Sequence, residues 1–445
     1  MIYWVVRKIV KLALFIFFRK IVVTGAENIP EKGPLIIVAN HPNTLMDPLL
    51  VASITKQRVG FLGNASIFIN KILIAIFRYF HVIPVFRKKD VKPGEKPDNK
   101  ESFIKCHEYL AEGNTLLIFP EGSSYYELKL REIKTGTARI ALSFEELNNF
   151  EGNLKIVPVA LDYSDSLQFR SMISITVNPP ISVKAYKESY LHNEYECVKE
   201  LSEDIRKEFA KNVPQTSGKE QETFLIHAHR FYTTYYAPDS DLFHNPKRSL
   251  ELRKDLSKVL HHIQKHNNSL YQDTQTNVNT FFSRLKFEGL TIGFFTDQFL
   301  KKNKVLVTLG YFLTFIFLLP VYLFGLLANF LPYIIPSKVF ELLNIDIEYK
   351  TSVALGTGLI TFPVFYTFEI WMFREYVSNE MWHTLLLLLV LPLSGYLVMF
   401  YWTELKRFAR VLHFYFVMKH EKKSEMLALR DVILDRMEQA RKSLG

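Results

Sequence analysis

Two short clusters carry the residue types of acid–base chemistry. The first, His41-Pro42-Asn43-Thr44-Leu45-Met46-Asp47, sets a histidine and an aspartate with five residues between them. The second, Phe119-Pro120-Glu121-Gly122-Ser123-Ser124, puts a carboxylate on a tight turn. An imidazole accepts and returns a proton near neutral pH. A carboxylate on its other ring nitrogen fixes the tautomer and stabilises the imidazolium. On a regular helix a six-residue offset turns two side chains about 120° apart. The pair can therefore meet only if His41 lies in the loop before a helix and Asp47 in its first turns. Pro42 suits a helix start, and Asn43 or Thr44 a cap. The competing reading makes His41 a satisfied turn residue and Asp47 merely the residue before Pro48.

The elements around the clusters form a frame. Leu35–Ala39 is a short unbroken apolar run, the pattern of a buried strand. It delivers Asn40 and His41 at its C-terminal end, where open α/β sheets bind ligands. Further strands are expected at 59–62, 82–86, 115–119, 155–162 and Met172–Val177, with helices at 67–80, 101–112 and 133–147. Residues 87–100 contain Pro93, Gly94 and Pro97 and read as a loop. The alternation predicts an α/β domain with a largely parallel, mixed sheet.

The 445-residue chain has a net charge of +10, with 37 Phe and 22 Tyr. No aromatic–basic recognition motif accompanies the charge, which argues against nucleic acid. Much of it flanks apolar segments, so an anionic membrane surface or a phosphorylated substrate fits better. The two cysteines, Cys106 and Cys197, lack metal-type spacing and read as reduced structural thiols of a cytoplasmic domain. His227, His229, His261, His262 and His266 have no accompanying carboxylate pattern, and no metal site is expected.

Residues 305–337 contain no charged side chain. As one helix they would run about 48 Å, against the roughly 30 Å of a bilayer's hydrocarbon core. The segment must tilt, kink at Pro320, re-enter, or end in an interfacial piece. Further apolar blocks lie at 351–368 and 384–402, so a C-terminal α-helical transmembrane region is expected. Glu369 borders the second block and reads as a headgroup-level residue rather than a functional one. Lys301, Lys302 and Lys304 precede the first block; Lys406, Arg407 and Arg410 follow the last. The positive-inside rule puts both flanks in the cytosol and requires an even number of crossings, against three visible blocks. Residues 1–23 mix Arg7, Lys8, Lys11, Arg19 and Lys20 with large apolar side chains. They read as a basic amphipathic helix lying in the interface, with a first helix packed on the domain as the alternative. No small-residue cleavage site follows, so a signal peptide is not expected.

The run from Asn40-His41 to Asp47, together with Ile83-Pro84-Val85-Phe86-Arg87, Phe119 to Ser124, and Ile156-Val157-Pro158-Val159, resembles the four ordered blocks of the glycerolipid (PlsC-like) acyltransferases. Gly25-Ala26-Glu27-Asn28-Ile29-Pro30 resembles the lead-in to the first block. The likeness covers about residues 20–215. It implies His41 as catalytic base with Asp47 as its partner. It implies acceptor binding at Arg87 and Glu121, with Gly122 and Ser123 beside them, and links Pro158 to the acyl site. Arginine can grip a phosphate in a bidentate, charge-assisted way, and a glycine lets backbone approach a ligand. Most members have four residues between the histidine and the aspartate. The five found here, and Lys134-Thr135-Gly136-Thr137-Ala138-Arg139-Ile140, resemble the glycerol-3-phosphate acyltransferase branch of fungal type. Lys134 is thus a candidate phosphate contact, or simply a solvated lysine at a helix start. Tyr125-Tyr126 fall outside the pattern.

The layout expected is an interface helix at 1–23, an acyltransferase domain at 24–215, a polar helical connector at 216–304, a transmembrane region at 305–403 and a charged helical tail at 404–445. The resemblance implies an integral membrane enzyme with its catalytic domain facing the cytoplasm. It would move an acyl group from acyl-CoA or acyl carrier protein to glycerol 3-phosphate, without a metal or redox cofactor. Lysophosphatidate or another lysophospholipid is the alternative acceptor. A non-catalytic lipid-binding protein on the same fold is a different class, and a transporter a third. Turnover of a labelled acyl donor separates them.

Overall fold

In the computed structural model the structure describes residues 2–68, 70–86, 98–125, 130–214, 216–238, 242 and 245–442. The apolar runs form eight strands: β1 (Lys20–Thr24), β2 (Leu35–Ala39), β3 (Val59–Asn64), β4 (Val82–Val85), β5 (Thr115–Ile118), β6 (Lys155–Tyr163), β7 (Met172–Val177) and β8 (Ile181–Ser182). They build one sheet in the order β1-β7-β6-β2-β5-β3-β4, with β8 also on β6. Neighbours run parallel except where β6 meets β7 and β8. β2 is central, and every one of its residues is buried, which is why it reads as an unbroken apolar run rather than an alternating one. Ile36, Val38, Leu116 and Ile156 share a core with Ala138, Ile140 and Phe144 of the Gly136–Leu147 helix and Leu201, Ile205 and Phe209 of the Glu194–Ala210 helix.

The N-terminal segment differs from the expected single helix. Its helix ends at Phe17, and Lys20–Thr24 forms an edge strand paired with β7. The physical reason is local: Ile21, Val22 and Val23 are β-branched and fit a pleated edge. The helix buries Tyr3, Leu14 and Phe17 on the domain, while Ile2, Trp4, Ile9, Leu12 and Phe15 stay exposed. Both features of the two sequence readings are thus present, a packed face and an outward apolar face. The 87–100 loop falls mostly outside the described residues.

The chain divides into two compact units. The first comprises Met1–Ser217, Phe243–Lys254 and Asp346–Ser352 and holds the sheet. The second comprises Gly218–Leu242, Asp255–Ile345 and Val353–Gly445. The stretch expected as a polar connector contributes to an apolar core of its own, in which Phe224, Phe231, Phe281 and Phe295 gather with Phe414 and with Ile433 of the tail. Helical spacing, as in Phe224 and Phe231, buries one stripe and leaves the polar majority outside. The average composition hid that stripe.

Among the described residues three helices are long and apolar enough to cross a membrane: Lys304–Leu343, Ile347–Tyr376 and Met381–Val417. The first is one 40-residue helix that continues through Pro320, Pro332 and Pro336. It runs antiparallel to the third, as the pairs Tyr311–Phe408 and Tyr322–Tyr401 require. Gly325 permits the close approach: a Cβ there would lie 2.7 Å from the carbonyl oxygen of Ser394. The antiparallel pairing brings both basic flanks to the same end of the pair. Asn329 ties the bundle, donating to the Ser394 hydroxyl at 3.1 Å and accepting from Tyr366 at 2.7 Å. Glu369 lies within the Lys350–Tyr376 helix rather than at its end.

Candidate active site

The backbone beyond β2 turns into the loop 40–45, and the next helix begins at Met46. Asp47 therefore lies in the first helical turn and His41 ahead of it, as the spacing demands. The His41 Nδ1 and Asp47 Oδ2 atoms are 2.8 Å apart. Asp47 is fully buried, and the imidazole keeps 17% of its side-chain exposure. An ionised carboxylate only accepts, so the ring proton belongs on Nδ1 and the lone pair on Nε2. Phe119 stacks on the imidazole with ring centroids 3.9 Å apart and fixes its plane.

The expected side-chain cap from Asn43 or Thr44 does not form; Leu45 is the N-cap and carries no side-chain bond. The direction is reversed. The Asn43 amide donates to Asp47 Oδ2 at 2.7 Å, and the Asn43 side chain donates to the Ser166 carbonyl at 2.7 Å. The long loop puts Pro42 and Asn43 outside the helix, so the carboxylate caps backward. Tyr163 at the end of β6 also donates its hydroxyl to Asp47 Oδ1. Burial, and then the Asp47 charge, push the Tyr163 hydroxyl well above its ordinary pKa, so it stays a donor. Asn40 clamps the sheet end by exchanging two hydrogen bonds with the Leu161 backbone, at 2.9 and 2.7 Å.

The segment after β5 meets this loop. The His41 amide donates to Glu121 Oε1 at 3.2 Å, and the Arg131 main chain also donates to that carboxylate. Burial raises the Glu121 pKa, partly offset by these partners and the His41 charge. Glu121 thus holds the His41 backbone directly, a contact the sequence did not reveal. Gly122 has φ 74°, the left-handed region that favours glycine, and a Cβ there would lie 2.4 Å from Lys134 Nζ and displace that flexible side chain. The exposed Lys134 consequently leans over the Glu121–Gly122 turn, and its amide bonds the Pro120 carbonyl at 2.9 Å. Ser123 turns its hydroxyl to the Gly122 carbonyl at 2.8 Å. The Tyr125 amide donates to the His41 carbonyl at 3.1 Å, and its ring carries the Arg131 guanidinium at 3.4 Å.

Pro158 is buried in β6 opposite Val38, and its carbonyl accepts from the Asn178 amide. It stands three residues before the level of His41 and supports the sheet beneath the site. Arg87 and Tyr126 lie outside the described residues. Cys106 and Cys197 are free and buried, and burial pushes the Cys106 thiol up to about 12. His227 is bonded to Asn279 at 2.9 Å and stacked on Phe282. Among the described residues no three His, Cys, Asp or Glu side chains gather as metal ligands would.

Residues 20–162 match the family model Acyltransferase. That match is confined to the part of the chain that holds most of the sheet and both residue clusters. The glycerol-3-phosphate O-acyltransferase 1 of Saccharomyces cerevisiae is 24% identical over 307 residues, covering 50% of this chain and 40% of that protein. The 1-acyl-sn-glycerol-3-phosphate acyltransferase of Borreliella burgdorferi is 27% identical over 171 residues, covering 38% and 61%. The chain spans less than two thirds of either relative. The solved structure of the 1-acyl-sn-glycerophosphate acyltransferase PlsC from Thermotoga maritima is 22% identical, with 45% of this chain and 78% of that one covered, at a TM-score of 0.32.

Proposed function

We propose that this chain is a membrane-bound O-acyltransferase that moves an acyl group from a thioester, acyl-CoA or acyl carrier protein, to the hydroxyl of glycerol 3-phosphate. The observation that carries the reading is the His41–Asp47 contact at 2.8 Å, braced by Glu121 on the His41 amide. An alcohol is a weak nucleophile at neutral pH. His41 Nε2 takes its proton as the oxygen attacks the thioester carbonyl. The imidazolium is stabilised by Asp47 while the tetrahedral intermediate stands. Collapse breaks the carbon–sulfur bond, and the thiolate recovers the proton from His41. The products are an ester and a free thiol, and the step needs neither metal nor redox cofactor.

Lys134 supplies a cation beside the Gly122 turn for the acceptor phosphate, and Arg87 is assigned the same task by family resemblance. Pro158 and Ser123 shape the surroundings. The five-residue spacing and the 307-residue alignment with a protein named for glycerol 3-phosphate favour that acceptor. The bacterial relative named for 1-acylglycerol 3-phosphate supports lysophosphatidate as the second reading. The apolar helices keep the enzyme in the bilayer, where an acylated product partitions. The paired basic flanks favour a cytosolic catalytic domain.

Labelled acyl-CoA offered with a panel of acceptors tests the reading, glycerol 3-phosphate being the one expected to accept. His41→Ala should lower kcat by about 10²–10⁴-fold, the usual worth of a general base, with the melting temperature unchanged. Full turnover by that variant would remove the base assignment.

A further inference from the structure

Of the five residues between His41 and Asp47, the first four, Pro42 to Leu45, belong to neither strand nor helix, so the polar groups of this loop must find partners elsewhere. Every backbone N–H from His41 to Leu45, Pro42 having none, is matched by a side-chain acceptor. His41 donates to Glu121, Asn43 to Asp47, Thr44 to the Ser124 hydroxyl at 3.0 Å, and Leu45 to the Ser352 hydroxyl at 3.2 Å. The last partner lies 307 residues along the chain, in the first turn of the Lys350–Tyr376 helix. It lies well beyond the matched residues 20–162.

The bonds from that helix head form a consistent directional chain. The Thr44 hydroxyl donates to the Glu348 carbonyl at 3.0 Å. Its single proton is then used, so the Ser352 hydroxyl, 2.7 Å away, donates to Thr44 and accepts from Leu45. Beside it, the Thr351 hydroxyl donates to the Asn43 side-chain oxygen at 2.7 Å. Asn43, Thr44, Thr351 and Ser352 are all buried. Asn43 stands between two demands: its side chain is held by Thr351, and its amide holds the Asp47 carboxylate that orients His41.

We propose that Thr351 and Ser352 are positioning residues, which fix the shape of the 41–45 loop and so the approach of Asp47 to the imidazole. The inference rests on the acyl-transfer reading for its kinetic consequence but not for its geometry. A hydroxyl at each position is the requirement. A loop freed of these two bonds satisfies the same backbone groups with water and gains alternative shapes. In those shapes Asp47 no longer holds the ring in one orientation.

The test uses the full chain in lipid–detergent micelles, with Thr351→Val, Ser352→Ala and the double variant, and with Thr351→Ser and Ser352→Thr as conservative partners. The double variant should lose roughly 10- to 100-fold in kcat, the scale expected when a reacting group moves by about an ångström. KM for donor and acceptor, and the melting temperature, should stay near wild type. The conservative variants should retain activity. A second readout does not depend on turnover: carbethoxylation of His41, followed by peptide mass spectrometry, should be faster in the double variant. Unchanged kcat with unchanged His41 modification overturns the proposal. So does a loss of activity that parallels loss of folded protein and is not rescued by the conservative variants. A wild type without acyl transfer would sink the functional reading instead, and the His41 modification rates would still decide the positioning role.

Discussion

The segments that follow β2 and β5 meet at one edge of the sheet but differ in how far their polar groups are buried and paired. After β2 the polar groups are buried and paired: Asp47 receives the imidazole, an amide and a phenol, and each loop N–H has its own acceptor. After β5 the Glu121 carboxylate is buried, while Gly122 and Ser123 are half-exposed and Lys134 is exposed. On the proposed acyl-transfer reading, the contrast follows from what each segment would do. A general base works only when its ring is held in one orientation and one tautomer. A phosphate grip must stay open to solvent to admit a charged molecule, and an exposed lysine costs little to keep charged.

That contrast can be broken most directly at Asp47. Asp47→Asn would present an amide donor to Nδ1 and force the ring proton to Nε2, removing the acceptor. We expect a fall in kcat of about 10²–10⁴-fold with little change in KM, measured by steady-state acyl transfer. Next in size is Gly122→Ala. It strains a backbone at φ 74° and displaces the Lys134 ammonium. It should raise KM for the phosphorylated acceptor about tenfold, the worth of one charge-assisted hydrogen bond, with kcat nearly kept. An effect on kcat instead would mean that the turn belongs to the proton-transfer side of the comparison. Tyr163→Phe removes one of three bonds to Asp47. It should cost only about 2- to 10-fold in kcat and leave KM alone.

The smallest effect is on stability. Burial raises the Glu121 pKa, so ionising that carboxyl is harder in the folded protein than in the unfolded chain. Its stabilising contribution is present below the ordinary carboxylate range and is lost as pH rises through the raised value. Glu121→Gln, which keeps an acceptor for the His41 amide without a charge, should therefore gain in melting temperature relative to wild type as pH increases from acid to neutral. A difference that stays flat with pH would mean that the carboxyl is not strained by burial.

Much of the frame was legible because it is local. Leu35–Ala39 and Met172–Val177 read as strands from their own residues and are strands at those bounds. His41 and Asp47 were readable as a pair because their spacing fits a loop followed by a helix start and their surroundings resemble the first acyltransferase block. Lys20–Thr24 was missed because its lysine and the basic residues before it made the segment look like the end of an amphipathic helix. Its pairing with β7 decides otherwise. The core formed by Phe224, Phe281 and Ile433 was missed because its stripe is diluted among polar residues.

The sequence by itself determined the apolar strands, the pairing of His41 with Asp47, the glycine that follows Glu121 and three long apolar blocks in the C-terminal part. These follow from residue type, short spacing and periodicity. Only the tertiary structure decided that Glu121 braces His41, that Tyr163 is the third donor to Asp47, and that Thr351 and Ser352 close the loop. Those partners are separated by 80, 116 and about 300 residues, and hydroxyls so distant leave no pattern in a single sequence. The folded sheet brings them together because a buried polar loop has to be satisfied by whatever side chains lie within hydrogen-bond reach.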